Sequence, residues 1–147
     1  MVSTVKYVPG MKPNMRLFKS RLEYNIAMSL WRRGIEFEYE RESWEYHADV
    51  YKGLCAHCGG HDIVSVRKYT PDFFLPNGIV VETKGRLDSS TRTQLLAVME
   101  SNPDKELVLV FARDNWMTKA HKNRYSDWCL KHKIDFHVGD IPDEWLV

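Results

Sequence analysis

Tyr69-Thr70-Pro71-Asp72-Phe73-Phe74-Leu75-Pro76-Asn77-Gly78-Ile79-Val80-Val81-Glu82-Thr83-Lys84-Gly85 is the stretch on which the fold turns. An apolar run, Phe73 to Leu75, meets a Pro-Asn-Gly turn and then a β-branched run, Ile79 to Val81, which is the signature of a β-hairpin. Side chains alternate along a strand, so Glu82 and Lys84 share one face. The antiparallel return brings Asp72 back beside them. Two carboxylates and one ammonium therefore converge at the end of a hairpin whose middle is apolar.

Two carboxylates a few ångströms apart raise each other's pKa unless a divalent cation lies between them. Oxygen-only ligation suits hard ions such as Mg²⁺ or Mn²⁺, which keep several waters and are often held by one or two carboxylates plus substrate phosphate. A lysine beside such an ion can hold the attacking water or offset charge on a pentavalent phosphate. An isolated Glu-x-Lys is more often a surface ion pair. The ordered set Pro71-Asp72, nine residues, Glu82-Thr83-Lys84, flanked by strand-like runs, points instead to phosphodiester hydrolysis.

These residues resemble the motif of the PD-(D/E)xK nuclease superfamily. Around them, Ser20-Arg21-Leu22-Glu23 with Gly34 to Glu40, and Lys131 to Phe136 with Ile141 to Trp145, are similar to one branch of it, the phage endonuclease I family of Holliday junction resolvases. The resemblance implies an α/β fold with a restriction-endonuclease-like core, a central mixed β-sheet flanked by helices, and an intertwined, domain-swapped homodimer. It implies Mg²⁺-dependent cleavage of branched DNA, the four-way junction, leaving 5′-phosphates. On the matching positions, Asp72 and Glu82 hold the metal with the Thr83 carbonyl, Lys84 positions water, and Glu23 joins from the partner subunit. Two other readings stand beside this one: a PD-(D/E)xK DNA endonuclease of nicking, repair or transposition type, and a junction-binding protein that does not cut.

Along the chain, residues 1–15 carry Pro9-Gly10 and Pro13 with few periodic apolar positions, and read as a mobile arm before a nuclease domain at 16–147. Leu22, Ile26, Met28, Leu30 and Trp31 recur with helical spacing between Ser20 as N-cap and Gly34 as stop. Glu23, three residues after Ser20, also fits a capping box, which competes with its site role. Ile35, Phe37 and Tyr39 alternate with glutamates as a half-exposed strand does, and Trp44 to Tyr51 and Ile63 to Tyr69 are strand-like. Asp88 or Ser89 caps a helix running to about Asn102, with Leu95, Leu96, Val98 and Met99 inward. Leu107 to Phe111 reads as a covered strand parallel to that of Glu82. Asn123 to His132 is a last helix with Trp128 and Leu130 inward, Ile134 to Phe136 a short final strand, and Pro142 to Trp145 a helical cap on the core.

An insertion at 53–62 contains Cys55-Ala56-His57-Cys58-Gly59-Gly60-His61, with the spacing of a zinc knuckle. Cys55 and Cys58 supply two ligands, and His61, His57 or His47 would have to complete the set. The competing reading is a hairpin loop with reduced cysteines.

Size and composition bound the rest. The 147 residues with 44% hydrophobic content suit one globular domain. No apolar run approaches the ~20 residues of a membrane span, and the first residues lack a signal-peptide pattern, which gives an expected cytoplasmic location, the host's if viral. The net charge of +1 requires basic residues to be segregated if DNA is bound. Lys19, Arg21, Arg67, Lys68, Arg86, Arg113, Lys119 and Lys122 are the expected DNA contacts, with Trp116 among the last of them.

Overall fold

A computed structural model describes residues 6–51 and 63–147. A five-stranded mixed sheet has the spatial order β1-β4-β5-β6-β7, formed by Glu38–Tyr39, Phe73–Phe74, Ile79–Lys84, Glu106–Phe111 and Phe136–Val138. The pairs β1–β4 and β4–β5 are antiparallel, while β5–β6 and β6–β7 are parallel. A separate antiparallel pair is made by β2, Trp44–Tyr51, and β3, Ile63–Tyr69.

The hairpin forms where the sequence requires it. Leu75 N–H donates to the Ile79 carbonyl at 3.0 Å and Gly78 N–H to the Leu75 carbonyl at 3.1 Å. Gly78 sits at φ +93°, a conformation that disfavours a side chain. β5, α2 (Ser89–Ser101) and β6 make the expected parallel βαβ unit. Asp88 caps α2, its carboxylate accepting from Thr91 N–H at 2.9 Å.

β6 explains the layers. Leu107, Leu109 and Phe111 face one core, Val108 and Val110 the other, and all five are buried. The first core is covered by Leu95 and Val98 of α2, by Tyr125, Trp128 and Cys129 of α3 (Tyr125–Lys131), and by Trp44, Tyr46 and Tyr69 of the small sheet. The second is covered by Ile26, Ala27 and Leu30 of α1 (Arg21–Arg32), with Phe18, Phe37 and Phe73. Each fully buried side chain of this kind contributes about 1.5–3 kcal/mol of burial energy.

Several expectations need correcting. Residues 6–15 do not form a mobile arm: Tyr7 is buried, stacks on Phe37 at 4.6 Å, and donates its hydroxyl to the Met11 carbonyl. The strand expected over 35–40 shrinks to β1, because Ile35 N–H is spent on the Leu30 carbonyl in the helix stop and Glu40 turns left-handed at φ 49°. Trp31 is exposed under the Lys12 ammonium, 5.7 Å from its ring. Leu96 and Met99 are only half-buried. Leu130 is 68% exposed, with Cys129 fully buried in its stead. Residues two apart on a helix point about 200° apart, so Trp128 and Leu130 could not both face inward. The final strand lies two residues later than expected. The cap Asp143–Leu146 is a 3₁₀ turn whose Trp145 packs on the α1-side core.

Cys55, His57, Cys58 and His61 lie outside the described residues. Cys129 is fully buried in the first core, where burial pushes its thiol up to about 12. Among the described residues, no helix is long and apolar enough to cross a membrane.

Candidate active site

Pro71 has no N–H, and β4 begins only at Phe73, two residues on. Asp72 takes over where the ladder stops. Its Oδ2 accepts from the Thr83 N–H at 2.9 Å and from the Thr83 hydroxyl at 2.7 Å, while its own carbonyl accepts from Glu40 N–H at 2.8 Å. The carboxylate thus stands in for a missing strand partner and is fixed by one oxygen.

Glu82 follows Val81 on β5 and is 4% exposed. Its Oε1 lies 3.6 Å from the Lys84 ammonium, so the shared face expected from alternation is present. Its Oε2 is buried with no hydrogen-bond partner. Burial, and then the charge of Asp72, hold Glu82 well above the usual carboxylate range, with Lys84 opposing the shift. Lys84 also lies 5.5 Å from the Tyr69 ring centroid. The Tyr69 hydroxyl is likewise buried and unpartnered, and burial followed by the charge of Glu82 raises its pKa.

Glu23 arrives from the opposite side of the sheet, on the first turn of α1. Half of the capping box forms: the Ser20 hydroxyl accepts from Glu23 N–H at 3.1 Å. The Glu23 carboxylate instead accepts from the Tyr39 hydroxyl at 2.6 Å. Glu23 is 5% exposed, and burial followed by the charge of Asp72 raises its pKa. In this structure α1 packs on the sheet of its own chain, so Glu23 and Asp72 meet within one chain.

Glu23, Asp72, Glu82, Thr83 and Lys84 line one groove of about 600 Å³, together with Lys19, Lys68 and Arg86. Three of the expected DNA contacts are therefore at its walls. Lys19 is tied to Glu40 at 2.9 Å. Arg21 lines a different groove, beside Tyr24 and Arg32. Arg67 is exposed on β3, and Arg113 and Lys122 are exposed in the loop after β6. Lys119 borders a neighbouring groove that also includes Arg86.

The donors fit a hard divalent cation. A buried carboxylate oxygen without a partner, next to a second carboxylate that raises its pKa, is an arrangement that a cation relieves. Among the described residues, no three His, Cys, Asp or Glu side chains approach closely enough to cage an ion by themselves. Backbone oxygen, water and phosphate would have to complete the shell, which is the habit of Mg²⁺ rather than of zinc.

Tyr39, Tyr69 and the side chain of Thr83 were not singled out by sequence reasoning. Tyr39 and Tyr69 read as core aromatics, and their hydroxyls acquire meaning only when α1 and the small sheet dock. Thr83 was detectable: the residue between Glu82 and Lys84 points away from them and toward α1. Replacing Thr83 by valine removes one of two bonds to Asp72 at nearly constant volume. Cleavage should fall about tenfold, at the lower end of the usual range for a group orienting a ligand. The backbone bond remains, so the melting temperature should change little. Unchanged cleavage would show that Thr83 does not position Asp72.

The site can be set beside known proteins. The model of the family described as Phage endonuclease I matches residues 5–147. Endonuclease I of Escherichia phage T7 is 36% identical over 132 residues, which cover 88% of this chain and 78% of that protein. Endodeoxyribonuclease 1 of Enterobacteria phage T3 is 36% identical over 128 residues, covering 86% of this chain and 75% of its own. With a match of this extent, and with the hairpin, its carboxylates and its lysine assembled in one groove, the chain belongs to the phage endonuclease I family.

Proposed function

We propose that the protein is a Mg²⁺-dependent endodeoxyribonuclease that resolves four-way DNA junctions, leaving 5′-phosphates, in the cytoplasm of the phage host. The observation that supports it most is the gathering of Glu23, Asp72, Glu82 and Lys84 in one basic-walled groove, in a chain whose relatives are named as an endonuclease and an endodeoxyribonuclease.

In this reading Asp72 and Glu82, with the Thr83 carbonyl, hold Mg²⁺ or Mn²⁺, which when bound supplies positive charge at the scissile phosphate and acidifies water. Glu23 adds a third carboxylate, oriented by the Tyr39 hydroxyl at 2.6 Å. Lys84, steadied between Glu82 and the Tyr69 ring, aligns the attacking water and offsets charge on the phosphate as it becomes pentavalent. Lys19, Lys68 and Arg86 hold flanking phosphates. Selection is by DNA shape and phosphate position rather than base identity.

A junction has two strands to cut, so the proposal includes a two-fold homodimer. Exchange of α1 between subunits would make the approach of Glu23 to Asp72 one between two chains. Incubating the protein with a labelled four-way junction and a linear duplex, in Mg²⁺ and in EDTA, tests the reading. Paired nicks in the junction alone, absent in EDTA, are expected. Equal cutting of the duplex would point to another endonuclease type, and binding without nicks to a non-cutting junction binder. Mixing Glu23→Ala and Asp72→Ala proteins should restore cleavage if α1 is exchanged, and restores none if each site is built within one chain.

A further inference from the structure

We propose that a second groove, which shares Arg86 with the catalytic one, is a subsite for the DNA backbone that flanks the scissile phosphate. This rests on the reading of the chain as a DNA endonuclease.

β5 and β6 run parallel, with Lys84 opposite Phe111, so the two loops that follow them leave the same edge of the sheet. That edge is where open α/β sheets hold ligand. Between the loops lies a groove of about 410 Å³, bordered by Arg86, Asp88, Trp116, Lys119 and His121 among others. Arg86 borders the catalytic groove as well, so the two grooves share one side chain and lie next to each other.

The far wall is built rather than incidental. Trp116 pairs with Arg124 in an antiparallel bridge, flanked by bonds from Met117 N–H to the Asn123 carbonyl at 2.7 Å and from Tyr125 N–H to the Asn115 carbonyl at 2.9 Å. The Arg124 guanidinium lies 4.0 Å from the Trp116 ring centroid and donates to the Asp114 carbonyl at 2.9 Å. Asp114 is held in turn by the Ser126 N–H at 2.9 Å and hydroxyl at 2.6 Å. The His121 ring stacks on Trp116 at 5.1 Å with 15° between planes.

A tryptophan that is 38% exposed and carries a guanidinium and an imidazole on its ring is a rigid mount for hydrogen-bond donors. Held this way, their side-chain entropy is spent before a ligand arrives. Arg86 and Lys119, the arginine and lysine that border the groove, form no ion pair within 4.0 Å among the described residues. The single carboxylate in the groove, Asp88, is occupied in capping α2 through Thr91 and Ser90. Unpaired cations beside a fixed aromatic platform, next to the catalytic groove, match the spaced negative charges of a DNA strand.

The test uses the full-length protein and a four-way junction in EDTA, so that binding is read without cleavage. Lys119→Ala should weaken binding about tenfold and reduce the slope of log K against log salt by about 1, the signature of one lost phosphate contact. Trp116→Leu, which dismantles the mount, should weaken binding by at least as much. Melting curves of both variants establish that the fold is intact, and if Trp116→Leu is unfolded the Lys119 slope decides. Wild-type protein that cuts the junction while both variants keep its affinity and salt slope would overturn the subsite alone. Wild-type protein that neither binds nor cuts DNA would overturn the nuclease reading, and the subsite with it.

Discussion

Glu82→Gln is expected to stop cleavage and to make the metal-free protein more stable. The loss of activity, on the order of 10³-fold, follows from removing a charge on which phosphate chemistry depends. The gain in stability follows from burial. Glu82 is 4% exposed, next to Asp72, and its ammonium partner stands 3.6 Å away. A desolvated charge so weakly compensated costs the fold, and an uncharged isostere should recover about 1–2 kcal/mol. For a chain of this size that corresponds to a rise of about 2–8 °C in Tm.

The pH dependence has a definite sign. A carboxyl whose folded pKa lies above its ordinary value of 4.5 stabilises the fold in its protonated form. That stability is fully present below about 4.5 and is lost as pH rises through the raised value. In EDTA, the gap between the glutamine variant and the wild type should therefore open as pH climbs toward neutrality. Added Mg²⁺ should then raise the Tm of the wild type and leave the variant nearly unmoved. A variant that cuts at the wild-type rate, or that melts lower than wild type in EDTA at neutral pH, would contradict the assignment of Glu82.

Phe73→Ala carries the largest structural effect. The ring is fully buried between Phe37 at 5.4 Å, Tyr39 at 5.5 Å and Phe18 at 6.4 Å, all in the core beneath α1. Truncation should cost about 3–5 kcal/mol, roughly a fifth or more of the stability of a typical domain, and lower Tm by roughly 10 °C or more. Because Phe73 adjoins Asp72 and α1 carries Glu23, cleavage should decline well below the melting temperature. Leu130→Ala, at a position 68% exposed, should shift stability by no more than about 0.5 kcal/mol. Urea titration of the two variants compares them directly, and similar costs would mean that α3 is turned the other way.

The hairpin, the βαβ unit and the capped ends of α1 and α2 were legible because each is set by neighbours in the chain: a Pro-Asn-Gly turn, a β-branched run, Ser20 and Asp88 at helix starts. So was the meeting of Asp72, Glu82 and Lys84, since strand alternation and one turn suffice to place them. What escaped depended on partners far away in sequence. Tyr7 looked like part of a loose arm because the ring it stacks on is Phe37. Tyr39 looked like plain core because its acceptor, Glu23, lies 16 residues earlier on another element. The separateness of the small sheet was hidden for the same reason: β3 reads as the approach to the hairpin, yet among the described residues it pairs with β2 alone, and β2 packs on α2. Family resemblance supplied the role of Glu23, which spacing left divided between a cap and a ligand.

The way Asp72 completes the sheet means that the two central acids are not interchangeable targets for disabling the enzyme. Removing the side chain at 72 strips the buried Thr83 amide of its acceptor, so the sheet frays as the chemistry stops. Neutralising position 82 should remove the chemistry and leave the scaffold sound. A catalytically silent protein for capturing DNA would therefore be better made at the second acid than at the first.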